Sequence, residues 1–350
     1  MTPRLSIVIP CYRVAEYLPR CLDSLAAQTF RDYEVIAVDD GSPDDTGAVL
    51  DAYAARDARI RVIHQPNGGV ARARNAGLEA VRAPFLTFVD PDDHVEPEFC
   101  RQLYEAIAAG DVDLAVCGVR CEGDPVRARQ LEKRFFVRPY AGLKDVDDRV
   151  FLETDPCLWN KAYRMDLIHA NGLRFPNGLV YEDCCFHWQY LAFVKKVRYV
   201  SDPLYWYFQR PDGIIGATAA SAARYMDEFA GFLMVRRRLE PDGHWDRMAS
   251  VFARYVLNEL DGIFRVLPEE LFPRAYDALC VVLDGVDVPQ RRRALENVRA
   301  RACGRLVTER RLGGVVKIVR TLDGIRIRVF GVTLCHRPWP GCDFNSLKNR

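Results

Sequence analysis

The N-terminal part of the chain alternates between short runs of β-branched residues and segments with apolar residues at helical spacing. The run Leu5–Pro10 is typical of a buried strand, and 16–28 repeats apolar residues every three or four positions, as one face of a helix does. The same alternation predicts strands over 33–38, 60–63, 85–89 and 112–117, and helices over 44–56, 70–81 and 97–109. This order predicts an α/β fold with a doubly wound, mainly parallel, Rossmann-like sheet that binds ligands at the carboxyl ends of its strands.

The pattern changes after about residue 118. Residues 120–140 are charged, which indicates an irregular excursion or a hairpin, and 143–152 is predicted to be a helix. An aromatic-rich stretch over 156–209 completes the same domain. From residue 222 apolar residues recur at helical spacing, so we expect a helical appendage. Strict alternation over 325–329, just before Gly331, predicts a strand followed by a turn.

Composition is that of an ordinary globular protein, with 49% hydrophobic and 28% charged residues among 350. No apolar run is long enough for a membrane-spanning helix, and the N-terminus lacks the features of a signal peptide. The 12 cysteines are scattered without the paired spacing of zinc ligands, so we expect reduced, packed thiols and a cytoplasmic location. A net charge of +1 argues against a nucleic-acid partner.

The charge is unevenly distributed. Residues 291–350 contain 15 Lys or Arg against 4 Asp or Glu, a surplus of 11 positive charges. Such a segment is expected to contact an anionic membrane surface peripherally, on the inner leaflet of the cell membrane, with Phe330 and Trp339 as apolar anchors. A solvated basic face or an RNA-tolerant patch is the alternative.

The strand ends carry acidic clusters and lack glycine-rich nucleotide motifs. The turn after the first strand is IPCYR, without G-x-G-x-x-G, and no P-loop motif occurs, which argues against hydride transfer and P-loop chemistry. Strand two ends in VDDGS, with Asp39 and Asp40, and strand four ends in FVDPDD, with Asp90, Asp92 and Asp93. Taken alone, each cluster is also typical of a helix cap or a solvated turn. Together they predict an oxygen-ligand site for Mg²⁺ or Mn²⁺ that also holds a diphosphate.

These residues carry a family resemblance. The segment SIVIPCYRVAEYLPRCLDSLAAQTFRDYEVIAVDDGSPDDT, followed by NGGVARARNAGLEAVRAPFLTFVDPDD, resembles the family 2 glycosyltransferases, which have the A-type glycosyltransferase fold. The closest subgroup is the bacterial enzymes that build capsular, exopolysaccharide or lipopolysaccharide chains. The resemblance implies a catalytic domain over 1–215, with a nucleotide-binding half (1–118) and an acceptor half (119–215). A helical and basic extension over 216–350 would follow.

The resemblance also implies a donor site. It places Pro10, Tyr12 and Asp40 around the base and ribose, with Asp39 beside them. It maps the D-x-D motif onto Asp90 and Asp92, with Asp93 adjoining, as the ligands of Mg²⁺ or Mn²⁺. Arg72 and Arg74 are candidates for the diphosphate, since a guanidinium matches phosphate oxygens; the alternative is two solvated arginines on a helix face.

On the acceptor side the resemblance assigns Asp183 as the catalytic base, with Glu182 next to it. Without the resemblance, the pair is typical of an acidic first helical turn. Lys161 is a weaker candidate for an acceptor or diphosphate contact, against a surface lysine. His187, four residues after Asp183, is a candidate metal ligand or acceptor contact, against a buried histidine. The aromatic residues 205–208 are interpreted as core rather than as a sugar platform.

The function implied is that of an inverting, metal-dependent glycosyltransferase. It would move a sugar from a nucleotide-sugar, with UDP as the expected nucleotide, to a glycan or lipid-linked acceptor in cell-surface polysaccharide synthesis. The alternative is a non-catalytic, nucleotide-sugar-binding scaffold subunit with the same fold. A nucleotidyltransferase is less favoured because no glycine-rich loop that ends in lysine follows strand one.

Overall fold

The computed structural model describes residues 2–123, 128–129, 131–132, 141–210, 222–287, 306–312, 316–321, 324–329 and 332–338. The chain divides into two compact units. The first consists of Met1–Ala220 with Met234–Val251, and the second of Ser221–Leu233 with Phe252–Arg350.

The first unit is an α/β domain, as predicted. Its strands are β1 (Leu5–Cys11), β2 (Tyr33–Asp39), β3 (Ile60–His64), β4 (Phe85–Phe88), β5 (His94–Val95), β6 (Leu114–Glu122), β7 (Gly142–Asp145), β8 (Lys161–Arg164) and β9 (Lys196–Phe208). Its helices are α1 (Leu18–Ala26), α2 (Thr46–Ala54), α3 (Val70–Glu79), α4 (Phe99–Ala108), α5 (Asp148–Glu153), α6 (Met165–Ala170) and α7 (Glu182–Leu191). The elements predicted over the first 117 residues are thereby confirmed, with ends that shift by a few positions.

The strands form one sheet in the order β3-β2-β1-β4-β8-β6-β9-β5, with β7 also paired to β9. The N-terminal half is parallel, from β3 through β4. Strand β8 then enters antiparallel between β4 and β6, and β5 and β7 pair antiparallel with β9. Strands β6 and β9 pair parallel, so the sheet is mainly parallel, as predicted, with antiparallel pairing at β5, β7 and β8 that was not predicted. The direction of a strand depends on the path of the chain between strands, which hydrophobic periodicity does not report.

The core lies on both faces of the parallel half. Every residue of β1 and β2 is buried, as expected for a sheet covered by helices on both sides. Helix α1 packs through Leu18, Cys21, Leu22 and Leu25, the face that its spacing predicts. Helix α3 approaches β1 closely at Gly77, where a Cβ atom would lie 2.4 Å from Cγ1 of Val8. This close packing fixes α3, and the arginines that it carries, against the sheet.

Two segments differ from the sequence-based expectation. The helix predicted over 143–152 is split into β7, which pairs with β9, and the shorter helix α5. Asp147 caps α5 by accepting a hydrogen bond from the Val150 N–H at 2.9 Å, so the helix begins only there. The charged excursion over 120–140 lies largely outside the described residues, although β6 continues through Glu122.

The remaining elements are three helices and a small sheet. The helices are α8 (Ala222–Leu239), α9 (His244–Val266) and α10 (Phe272–Val282), in the region predicted to be helical. Strands β10 (Leu306–Leu312), β11 (Val316–Thr321), β12 (Gly324–Val329) and β13 (Val332–Pro338) form a four-stranded antiparallel sheet. Of these strands the sequence predicts β12 alone, so the extension is not entirely helical.

Residues 291–305, Phe330, Gly331 and Trp339 lie outside the described residues. Among the residues that are described, no helix is both long enough and apolar enough to cross a membrane.

Candidate active site

The carboxyl ends of β1 and β2 bring the predicted base-binding residues together. Parallel pairing sets Pro10 opposite Val38 and Cys11 opposite Asp39. The Asp40 N–H donates to the Cys11 carbonyl at 2.9 Å, which joins the two strand ends. Tyr12 follows β1 directly and is 44% exposed, so its ring is free to contact a ligand.

Asp39 is buried, and both of its carboxylate oxygens accept hydrogen bonds. Oδ1 accepts from the Ser42 N–H at 3.0 Å, and Oδ2 lies 3.0 Å from Nδ1 of His64. Burial alone would raise the pKa of Asp39, but the hydrogen bonds from Ser42 and His64 lower it below its ordinary value. Asp39 is therefore an ionised acceptor at neutral pH.

Asp40, at the same strand ends, is bonded to the loop that follows β3. Its carboxylate accepts hydrogen bonds from Nε2 of Gln65 at 2.6 Å, from Gly68 N–H at 3.0 Å and from Gly69 N–H at 2.8 Å. Asp40 thereby holds the loop of residues 65–69 against the strand ends.

Two carboxylates stand at the end of β4. The side chains of Asp90 and Asp92 are 26% and 25% exposed. Burial, with the charge of Asp90 next, raises the pKa of Asp92 to about 6. Nη1 of Arg210 lies 3.7 Å from Oδ2 of Asp92.

This pair fits a divalent metal that is shared with a diphosphate. Within the described residues no group of three or more His, Cys, Asp or Glu side chains is arranged to hold a metal by itself. Mg²⁺ is ordinarily bound by one or two carboxylates together with substrate phosphates and water, and the mutual repulsion of Asp90 and Asp92 favours a cation between them. The donor set at the end of β4 is therefore adequate when a diphosphate supplies further oxygens.

Asp93 does not join this pair. It is 1% exposed; Oδ2 accepts from the Tyr205 hydroxyl at 2.6 Å and Oδ1 from the Phe208 N–H at 2.7 Å. Burial raises the pKa of Asp93 well above its ordinary value. The expectation of a third metal ligand does not fit this position, because the carboxylate is committed to β9.

The two candidate arginines are placed differently. Arg74 is buried, with Nη2 3.2 Å from Oδ1 of Asp90 and Nη1 bonded to Oε1 of Glu182. Its position matches neither a solvated helix face nor direct access to a diphosphate; it bridges the D-x-D segment and the start of α7. Arg72 is exposed and lies over Gly68, where a Cβ atom would be 2.2 Å from its Cδ. Arg72 thus remains the arginine available to a diphosphate.

The acidic pair at the start of α7 lies beside this bridge. Tyr181, with a left-handed φ of 70°, precedes the helix and turns Glu182 inward. Burial raises the pKa of Glu182 to about 7 against the opposing effect of Arg74. Asp183 is partly exposed; burial raises its pKa, Arg74 opposes the rise, and Asp90 and Asp155 add to it. Glu182 is thus held by Arg74, whereas Asp183 is the carboxylate that remains accessible.

The structure buries Lys161 and His187. Nζ of Lys161 donates to the Cys157 carbonyl at 2.7 Å and to Oδ1 of Asn160 at 2.6 Å, so neither a ligand contact nor a surface position fits. His187 is fully buried; burial and the charge of Lys161 lower its pKa well below its usual value. It is a neutral core histidine and does not reach Asp90 or Asp92 as a metal ligand. Tyr205 is likewise core, stacked on Trp159 with ring centroids 4.4 Å apart.

The sequence analysis missed His64, which faces Asp39, and Arg210, near Asp92; it interpreted Tyr205 as core without its hydrogen bond to Asp93. His64 ends a predicted strand of the parallel sheet, and the rule that directs attention to Asp39 applies equally to it. Tyr205 and Arg210 come from β9 and its end, whose position in the sheet no local pattern indicates.

Comparison with known proteins identifies relatives of this chain. Residues 6–172 match the family model described as Glycosyl transferase family 2. The chain is 35% identical over 221 residues to the uncharacterized glycosyltransferase EpsJ of Bacillus subtilis, covering 61% of this chain and 63% of EpsJ. Putative glycosyltransferase EpsH of the same organism is also 35% identical, covering 59% of this chain and 61% of EpsH. The chain thus spans somewhat less than two thirds of these curated relatives.

Among solved structures, S. aureus TarS in complex with UDP-GlcNAc superposes with a TM-score of 0.68 at 20% identity, covering 97% of this chain and all of that one. At this identity the likeness concerns the fold, and it agrees with the mixed α/β architecture described above.

Proposed function

Because residues 6–172 match the glycosyl transferase family 2 model, we propose that the chain is a member of that family and transfers a sugar from a nucleotide-sugar to a glycan or lipid-linked acceptor. The transfer would serve the synthesis of a cell-surface polysaccharide. One observation carries the proposal: Arg74 links the carboxylates at the end of β4 to the acidic start of α7. Donor-side and acceptor-side groups are thereby held in one cluster.

The nucleotide would bind at the ends of β1 and β2. The exposed ring of Tyr12 would offer an apolar face to a base, and Asp40, with Asp39 beside it, would accept a hydrogen bond from a base N–H or from the ribose. Uracil carries such an N–H on its pairing edge, as thymine and guanine do, whereas cytosine presents an acceptor there. Among the nucleotides that the acceptor allows, we propose a UDP-sugar as the donor. Binding of UDP-GlcNAc by TarS is consistent with this choice.

Asp90 and Asp92 would hold Mg²⁺ or Mn²⁺ at the diphosphate. When bound, the ion offsets the negative charge that develops on the leaving nucleoside diphosphate. Arg72, on the exposed side of α3, adds a guanidinium that can pair with phosphate oxygens. Arg74 keeps Asp90 in place from the protein interior.

Asp183 would act as the general base. The acceptor hydroxyl gives its proton to the Asp183 carboxylate while its oxygen bonds to the anomeric carbon, and the bond from that carbon to the diphosphate oxygen breaks. Attack from the face opposite to the leaving group inverts the anomeric configuration. The raised pKa of Asp183 improves it as a proton acceptor, and Glu182, fixed by Arg74, aligns the first turn of α7.

The proposal is tested first by ligand-dependent thermal unfolding. We expect one nucleotide among UDP, GDP, CDP and dTDP, with UDP favoured, to stabilise the protein in the presence of Mg²⁺ or Mn²⁺. A ligand at 100 times its Kd stabilises by about 2.7 kcal/mol. Asp92→Asn should abolish the metal-dependent part of this stabilisation. The control Asp246→Asn, at an exposed position of α9, should retain it. Stabilisation by no nucleotide under any metal condition would overturn the proposal.

A panel of UDP-sugars and acceptors then separates an enzyme from a scaffold. The enzyme proposal expects release of UDP that depends on acceptor. A protein that binds UDP but releases none across the panel would favour the scaffold alternative.

A further inference from the structure

Two consecutive residues of α3, Arg74 and Asn75, hold the segment that leads into α7. Arg74 bonds to Oε1 of Glu182, the first residue of that helix. Nδ2 of Asn75 donates to the carbonyl of Phe175 at 2.9 Å, and Oδ1 of Asn75 accepts from the N–H of Phe175, also at 2.9 Å. One side-chain amide thus pairs with both backbone groups of a residue that lies 100 positions further along the chain.

The residue that Asn75 holds is itself part of the core. Phe175 is 2% exposed, and its ring stacks on Phe186, in the middle of α7, with the ring centroids 4.2 Å apart. The same ring meets Phe88 of β4 edge-on, with the centroids 5.5 Å apart. Because the backbone of Phe175 bonds to α3 and its ring packs on α7, this residue links the two helices.

The segment 175–181 is held at both ends. The amide of Asn75 holds its start, and Arg74 holds the first residue of α7 just beyond its end. Tyr181 has a φ of 70°, a left-handed conformation that a residue other than glycine keeps only where the surrounding structure enforces it. Asp183 comes two residues later, so its position relative to the carboxylates at the end of β4 depends on how this segment is fixed.

We infer that Asn75 is a positioning residue for the general base: its paired hydrogen bonds with Phe175 fix the segment that sets Asp183 against the donor site. The inference rests on the proposed function, because it takes Asp183 as the base. An amide carries both a donor and an acceptor and so bonds to both backbone groups at once, whereas an ionised carboxylate of the same shape only accepts. A displacement of a reacting group by about 1 Å can lower a rate by about 10²-fold.

The experiment compares turnover and UDP affinity in wild type and Asn75→Leu, a variant that keeps the shape of the side chain and removes both hydrogen bonds. Turnover is measured as acceptor-dependent UDP release, with the donor and acceptor for which wild type is fastest in the panel above. The Kd of UDP with Mg²⁺ is measured by isothermal titration calorimetry. We expect kcat to fall about tenfold to a hundredfold. The Kd of UDP should stay at the wild-type value, because the ends of β1, β2 and β4 are unchanged.

Ser6→Ala is the matched control. Ser6 is buried near the start of β1, and it too makes one donated and one accepted hydrogen bond to distant segments. Its Oγ donates to Oε1 of Glu34 at 2.7 Å and accepts from the N–H of Ala83 at 3.3 Å. These bonds lie at the end of β1 opposite to the candidate site. Ser6→Ala should therefore lower the thermal stability, as Asn75→Leu does, but keep the wild-type kcat.

Asn75→Asp provides the second variant, which decides the matter where Asn75→Leu fails to fold. Its carboxylate accepts from the N–H of Phe175 but, when ionised, cannot donate to the carbonyl. At pH 8 we expect kcat to fall by about threefold or more, the usual range for the loss of one hydrogen bond. Hydrogen exchange over residues 173–186, followed by mass spectrometry, should be faster than in wild type in both Asn75 variants and unchanged in Ser6→Ala.

The outcomes separate the inference from its premise. If wild type transfers sugar and both Asn75 variants match its kcat, Asn75 does not position the base, although the proposed function stands. A loss of kcat with an equal weakening of UDP binding, or an equal loss of kcat in Ser6→Ala, would indicate a general loosening of the domain and would also overturn the inference. If wild type transfers no sugar with any donor and acceptor, the proposed function and the inference fall together.

Discussion

The charge of Arg74 acts on both carboxylates at the start of α7. It opposes the effect of burial on the pKa of Glu182 and of Asp183. Removal of that charge in Arg74→Gln should raise both pKa values, so more of the base is protonated at a given pH. The acidic limb of a kcat/KM profile should then move to higher pH, and on that limb kcat/KM should fall by about tenfold for each pKa unit of the move, which corresponds to about 1.4 kcal/mol.

Arg72→Gln is the matched control, because Arg72 lies one half-turn away on α3 but is exposed. The Arg72→Gln variant should raise the KM for the donor and leave the acidic limb of the kcat/KM profile at the same pH. An unshifted limb in Arg74→Gln would show that Arg74 does not set the protonation of the base.

Asp183 and Glu182 are adjacent in sequence but differ in exposure and in partner, and they should therefore differ in their effect on transfer. Asp183→Asn removes the proton acceptor, so kcat should fall by about 10²–10⁴-fold, the usual contribution of a general base, with the Kd of UDP unchanged. Glu182→Gln should lower kcat less, because it weakens the contact with Arg74 but keeps the base. Product formation by mass spectrometry and UDP calorimetry provide the two measurements. Wild-type turnover in Asp183→Asn would place the base elsewhere.

At the scale of elements, β9 is tied to the end of β4 through Asp93. Asp93→Ala leaves the Phe208 N–H and the Tyr205 hydroxyl without this acceptor, and each unpaired buried group costs about 1–3 kcal/mol. We expect the free energy of unfolding in urea to fall by roughly 2–4 kcal/mol. Asp92→Asn, with a partly exposed side chain, should leave it nearly unchanged. Equal stability of the two variants, with loss of the metal response in Asp93→Ala, would instead make Asp93 a metal ligand.

Elements with local patterns were predictable from the sequence. Strands β1 to β4 and helices α1 to α4 follow from hydrophobic spacing, which is set by neighbours within a few residues. The order of β8, β6 and β9 in the sheet was not predictable, because it depends on which neighbour each strand pairs with after a long connection. Strands β10, β11 and β13 were missed although the connections between them are short, because among the four strands β12 alone alternates strictly between apolar and charged residues.

In the candidate site, too, residues in local motifs were predictable, whereas contacts with residues distant in sequence were not. Motifs indicate Tyr12, Asp39, Asp90, Asp92 and Asp183, which lie at strand or helix ends with accessible groups or free acceptor capacity. The partners that redirect other candidates are distant in sequence: Arg74 is 108 residues from Glu182, and Asp93 is 112 residues from Tyr205. A charged residue in a motif is read as exposed until such a partner is known, which is why Lys161 was predicted as a ligand contact or surface residue.

At the scale of the whole molecule, charge is segregated along the chain. The total is +1, while residues 291–350 carry a surplus of 11 positive charges, so the preceding residues are acidic by about 10. A basic segment adds about 1 kcal/mol of attraction to an anionic lipid surface for each Lys or Arg that lies near it. Such contact would bring the catalytic domain to a lipid-linked acceptor, which is the acceptor class that we favour.

Membrane contact can be tested in the full chain through the consecutive arginines Arg291, Arg292 and Arg293. We expect cosedimentation with vesicles that contain phosphatidylglycerol, little with neutral phosphatidylcholine, and release as the salt concentration rises. Replacing the three arginines with serine should weaken binding by about tenfold or more, given the attraction per charge. Replacing them with lysine keeps the charge and should preserve binding, which separates electrostatic attraction from a folded, arginine-specific contact. Binding of the serine variant at the wild-type level would exclude this run as the membrane contact, and loss in both variants would indicate recognition of guanidinium groups rather than of charge.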